Sequence, residues 1–147
     1  MQLTGQVDIN APRAAVWALL MDVEALAGCG PGVDGVVRHD PTHATVQARV
    51  SLGFMTAGLS VDLELVEITA PDRVTVRGQG EASGNQVEAT GAVTLTGPPA
   101  GPTHLAWTAD LEIRGPLSSF ASGFVEAPAT RLIDQTIECL RARLAAT

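Results

Sequence analysis

Thiol chemistry has two candidates in this sequence, Cys29 and Cys139. A nucleophilic or redox-active cysteine needs its pKa lowered by a nearby cation or a helix N-terminus. Cys29 lies in ALAGCGPGVDGV (25–36), after a helix-like run, where the helix dipole opposes a thiolate. The pair matches no zinc or redox spacing. The expectation is two buried or free thiols in a reducing compartment, with Cys29 as a small apolar residue fixing the turn and a disulfide as the alternative. The glycines of the same stretch do not form a dinucleotide loop, which needs strand, glycines, then helix. Here they follow a helix and precede a strand, as a C-cap and reversal would, with Gly28 or Gly30 taking positive φ.

Other side chains offer little catalysis. His39 and His43 flank a DPT turn and His104 opens a strand beside a proline-rich loop, so all three read as surface histidines without a zinc ligand set. No G-x-S-x-G elbow occurs, and Ser118, Ser119 and Ser122 cluster at a helix start, where hydroxyls cap. Asp62, Glu64, Asp110 and Glu112 fall on the polar phase of their strands, and Glu126 and Arg131 lie near a helix kink, where they read first as solvated helix-face residues and otherwise as groups entering or rimming a cavity. No carboxylate pair stands out as an acid/base couple. The reading is non-catalytic, with no metal and no cofactor.

The 147 residues suit one domain, 1–147, with 46% apolar and 17% charged residues. The net charge is −7 and every cation is an arginine, so there is no basic cluster for nucleic acid and no lysine for a Schiff base. MQLTGQVDIN lacks the basic start and apolar core of a signal peptide, and no apolar run reaches the ~18 residues of a spanning helix. The expected location is cytoplasmic.

The elements that must position these residues follow from periodicity. Leu3, Gly5, Val7 and Ile9 alternate as a strand. NAPRAAVWALLMD reads as a helix capped by Asn10 with Pro12 in its first turn, and Asp22 restarts a second short helix. Six more strands follow, separated by DPTH, GFMTAG, APDR, SGNQ and GPPAGP. The final segment, from Gly115, has apolar residues at helical spacing, and Pro128 should kink or divide it. Consecutive strands joined by tight turns make an antiparallel sheet with one face to bury, and only the last helix is long enough to cover it. Ala48, Gly58, Ala89, Gly91 and Ala109 are small, and the chain has three Phe, two Trp and no Tyr. Such an interior either packs poorly or keeps a cavity, which would be apolar. Phe54, Met55, Leu59, Val61, Trp107, Leu111, Phe120, Phe124 and Ile133 should converge there as ligand-binding residues. Singly, each also suits plain core.

APRAAVWALLMDVEALAGCGPGVDGV resembles the N-terminal signature of the carbon monoxide dehydrogenase CoxG family, within the START-like (SRPBCC) helix-grip superfamily. Pro12, Val16, Trp17, Leu20, Asp22, Leu26, Cys29, Pro31 and Gly32 occupy the places of its P-x-x-x-V-W-x-x-L-x-D and L-x-x-C-x-P-G motifs. SLGFMTAG, GQGEASG and IRGPLSSFASGFVEAPATRLID continue the likeness, with Phe54-Met55 replacing the usual proline and branched residue. The resemblance implies an α+β fold: a curved antiparallel seven-stranded sheet around a long C-terminal helix, with two short helices between strands 1 and 2. It also implies an accessory factor for a molybdenum-containing carbon monoxide dehydrogenase-type hydroxylase that carries a lipid- or quinone-like molecule, with transient contact at the inner membrane face. Many members add a membrane-seeking tail; this sequence ends at Thr147, so autonomous anchoring is not expected. The alternatives are a polyketide cyclase/dehydratase-like enzyme using the same cavity, or a protein-interaction module with a filled core. Sheet edges offer a route to a homodimer.

Overall fold

A computed structural model shows a seven-stranded antiparallel sheet, two short helices and one long one. The structure describes residues 2–30, 32–52, 55–82, 84–115 and 122–145, and side chains throughout these except at 50–52, 55, 57, 82 and 122–129. In chain order the elements are β1 (Gln2–Ile9), α1 (Arg13–Leu20), α2 (Val23–Gly28), β2 (Val33–Asp40), β3 (His43–Leu52), β4 (Met55–Thr69), β5 (Arg73–Ala82), β6 (Asn85–Thr96), β7 (Thr103–Arg114) and α3 (Ser122–Ala145). The sheet order is β1-β7-β6-β5-β4-β3-β2, so the two strands flanking α1 and α2 form opposite edges. This is the helix-grip arrangement: a curved sheet with α3 set against it.

β1 buries alternate residues, as its period-two pattern requires. In α1, Val16 and Leu20 are buried one turn apart. Its N-cap is Pro12, with no side-chain cap bond, because the helix begins at Arg13, too far along for Asn10 to serve. α2 is capped as expected, with the Asp22 carboxylate accepting from Ala25 N at 3.1 Å. α3 runs unbroken from Ser122 to Ala145, so Pro128 does not divide it.

Two local corrections concern the stretch 25–36. The left-handed residue is Gly32 (φ +76°), not Gly28 or Gly30. A side-chain carbon there would lie 2.0 Å from the Arg49 carbonyl oxygen, and Gly32 O itself accepts from Arg49 N at 2.9 Å. Only glycine lets β2 begin this close to β3. A register shift between Val33 and Gly35 then changes the phase of β2, so Val36 packs inward while Val37 is 59% exposed.

Among the described residues, the core sits at one end. Ile9, Val16, Leu20, Cys29, Leu95, Leu105 and Leu140 form one cluster, and Val23, Ala44, Leu65 and Val74 the other. Both lie where α1 and α2 close the sheet. Arg13 fastens the same end. Its guanidinium donates to the Gly97 carbonyl in the β6–β7 turn and meets Asp72 of the β4–β5 turn at 3.3 Å. Thr103, fully buried, donates its hydroxyl to Ala11 O at 2.8 Å.

Candidate functional site

The register defines the inner wall. Leu59, Val61, Leu63 and Leu65 of β4 stand in phase with Val74, Val76, Gly78 and Gly80 of β5. Val87, Ala89, Gly91, Val93 and Leu95 of β6 and Leu105, Trp107, Ala109, Leu111 and Ile113 of β7 continue the same face. At the α1 end its members are fully buried: Leu65, Val74, Leu95 and Leu105 are each no more than 4% exposed. Toward the other end burial fades. Val87, Ala89, Gly91, Ala109, Leu111, Ile113, Val61 and Leu59 are all only half-buried, although they point the same way.

That gradient follows from side-chain size. At Gly78 the methyls of Val61 and Leu63 stand 3.3 Å from where a side-chain carbon would sit, and at Gly80 that position is taken by the Ser60 carbonyl oxygen at 2.3 Å, with a Val61 methyl at 3.1 Å. At Gly91 a side-chain carbon would approach, among the described residues, one backbone atom, Thr108 O at 3.6 Å, and no side chain. No described side chain therefore fills the inner wall above Gly91. From Leu59 to Leu65, Val74 to Gly80, Val87 to Leu95 and Leu105 to Ile113, every inward residue is apolar or glycine.

Of the residues expected to meet a ligand, Leu59, Val61, Trp107 and Leu111 lie on this wall and Ile133 is half-buried on α3. Met55 opens β4 and Phe124 lies on α3, both with side chains outside the described set. Phe54 and Phe120 lie outside the described residues, as does Ser119; the Glu126 side chain does too, and Arg131 is exposed. Gly58 is not on the wall. It pairs with Arg49 on the outer face, in an open depression of about 350 Å³ lined by Asp34, Gln47, Arg49, Ser60 and Glu81. Sequence reasoning missed Gly78 and Gly80, which the alternation VTVRGQG already puts in phase with Val74 and Val76.

On α3, Ile133, Ile137 and Leu144 are half-buried and Leu140 is buried, while Asp134, Glu138 and Arg141 are exposed. Its C-terminal half packs into the first core cluster through Cys139, Leu140 and Leu144. It is also tied there covalently: Cys29 and Cys139 form a disulfide, with Cα atoms 5.5 Å apart, contrary to the expected free thiols. The fold brings the α2 C-cap onto α3, a proximity that sequence spacing does not carry. In the chain-entropy account a loop of 110 residues stabilises by about 5 kcal/mol.

The polar groups decorate the outside. His39 Nε2 meets Thr45 Oγ1 at 2.7 Å, and His104 meets Asp8 and Gln6 at 2.7 and 2.8 Å. His43 bonds Asp40 at 2.8 Å and lies 3.2 Å from Glu64. The hydrogen bond from His43, with that from Thr42 N, pulls the Asp40 carboxyl down to about 2. The same bond to Asp40 raises His43 above its ordinary value.

The whole fold recurs in solved structures. A conserved protein from Geobacillus kaustophilus is similar with a TM-score of 0.88 at 20% identity, over 99% of this chain and 96% of that one. A START superfamily protein from Mycobacterium smegmatis gives 0.74 at 14% identity, covering 99% and 97%. The Zhui aromatase/cyclase from a Streptomyces species gives 0.71 at 18%, covering 99% and 93%. At these identities the likeness shows the fold alone. No curated protein matches the sequence. The profile of one family does match, over residues 5–145. The chain belongs to the carbon monoxide dehydrogenase CoxG family.

Proposed function

We propose that the space between the inner wall and α3 binds an uncharged hydrophobic molecule of lipid or quinone class, and that the chain, as a single binding domain, is a non-catalytic accessory factor to a molybdenum-containing carbon monoxide dehydrogenase-type hydroxylase. The observation that carries the binding is the half-buried, wholly apolar wall around Gly91. Burying a ligand there would gain roughly 25 cal/mol per Å² of apolar surface before entropy costs. Leu59, Val61, Trp107, Leu111 and Ile133 would contact it, and Phe54, Met55, Phe120 and Phe124 complete the proposed ligand-binding set. Family membership supports the accessory role. No helix of the described residues is long and apolar enough to cross a membrane, so membrane contact during transfer would be peripheral.

An enzyme of cyclase type would need an acid or base reaching this space, and the described wall strands supply none between the bounds given above. Glu126→Gln would abolish turnover in that case and leave a carrier unaffected. The deciding experiment is native mass spectrometry after incubation with liposomes containing a quinone. A stoichiometric adduct, lost in Leu111→Asp, is expected. A clean ligand-free mass with no uptake would sink the carrier and leave an interaction module with a filled core.

A further inference from the structure

We propose that the Cys29–Cys139 disulfide is a redox strap on α3, so that the thiol–disulfide state of the protein sets how firmly the helix stays closed over the inner wall and how long a ligand is retained. The retention half of this rests on the binding site proposed above; the strap itself does not.

Its placement carries the inference. Cys29 is the C-cap of α2, whose N–H bonds to Ala25 O and Leu26 O anchor it at the closed end of the fold. Cys139 is on α3, next to Leu140, the one buried residue among the described side chains of that helix. The Arg143 guanidinium stands 3.6 Å from where a side-chain carbon on Gly28 would lie, so the same seam continues one turn further. The remainder of α3, from Ser122 to Thr136, extends from this anchor. Ile133 lies on that part, half-buried like the inner wall. Among the described side chains, α3 joins the core cluster through Cys139, Leu140 and Leu144, and the bond to Cys29 is the covalent part of that hold, so opening it loosens the helix.

The chemistry balances with a dithiol reductant, whether a small molecule or a protein. Cys139 is half-buried and Cys29 buried, so the reductant's thiolate attacks the Cys139 sulfur. The S–S bond breaks, a mixed disulfide forms on Cys139, and the Cys29 sulfur leaves and takes up a proton. The reductant's second thiol then displaces Cys139 as a thiol. Two electrons and two protons pass to the protein, and the reductant is left as its own disulfide.

The test uses the full chain, oxidised and after dithiothreitol, with Cys139→Ser as an independent route to the open state. Thiol titration under denaturing conditions verifies each state. Amide hydrogen exchange over residues 131–145 should quicken about tenfold or more on reduction, with β4–β6 protection unchanged. Nile red should dissociate about tenfold faster from the reduced chain and from Cys139→Ser. Unchanged exchange in α3 after verified reduction would overturn the strap. So would loss of protection by sheet and helix together, which would make the bond a staple of the whole fold. If Nile red fails to bind the oxidised chain, the binding site and the retention half fall, while the exchange of α3 still judges the strap alone.

Discussion

The Trp107 indole on β7 lies across Gly5 on β1, so closely that a side-chain carbon on Gly5 would come within 2.5 Å of Trp107 Cζ2. The edge strand is thus fitted to the ring by lacking a side chain. Gly5→Val should destabilise the fold by about 1–3 kcal/mol in urea titrations, as overpacking does, and change the tryptophan emission. Much of the loss should return in the Trp107→Leu background.

Gly91 makes the opposite prediction. No described side chain stands against its inward side, so Gly91→Leu should fit without loss of thermal stability while weakening Nile red binding about tenfold. Equal binding by the variant would mean that ligand does not occupy this part of the wall.

Thr103 is fully buried, and its hydroxyl serves Ala11 O. Thr103→Val keeps the shape but leaves that carbonyl without its donor, at a cost of about 1–3 kcal/mol in chemical denaturation. Thr103→Ser should retain most of the stability.

Arg13 has two partners of unequal worth. The pairing with Asp72 is partly solvated, with side chains 25% and 52% exposed, so Asp72→Ala should cost no more than about 1 kcal/mol. Arg13→Ala also removes the donor to Gly97 O and should cost clearly more in the same assay.

The Asp40–His43 pair gives a pH signature. The raised His43 contributes fully below 6.5 and loses its contribution as pH rises through its folded-state value. The lowered Asp40 contributes fully above 3.8 and loses its contribution as pH falls through about 2. Both therefore act together between 3.8 and 6.5. An NMR titration should place His43 above 6.5, and Asp40→Asn should bring its midpoint down.

Much of the fold was legible because its strands are amphipathic. Leu3, Val7 and Ile9, or Leu105, Trp107 and Leu111, keep one phase from end to end, and α1 shows its stripe through Val16 and Leu20. What escaped depends on local backbone or distant approach. The phase of β2 changes at a register shift, so Val36 rather than Val37 turns inward. Gly32 is the left-handed residue because Arg49, seventeen positions on, stands against it. Gly58 lies on the outer face, as its own strand's alternation with Leu59 requires, and does not help to open the interior. Cys29 and Cys139 meet only because α2 and α3 converge, and no periodicity records that. At the site, spacing points to the aromatic residues, whereas among the described residues the space not met by a side chain lies at Gly91 of β6.

The strand order also governs when the protein can fold. Among the described strands β1 pairs with β7 alone, so it finds its partner about a hundred residues later in the sequence. The hairpins from β2 to β7 can form as they emerge, but the edge position of β1, the docking of α1 and the anchoring of α3 must wait until β7 and α3 have been made. Such non-local closure slows folding and leaves the Gln2–Ile9 segment unpaired on the nascent chain, where a chaperone or a second copy competes for it.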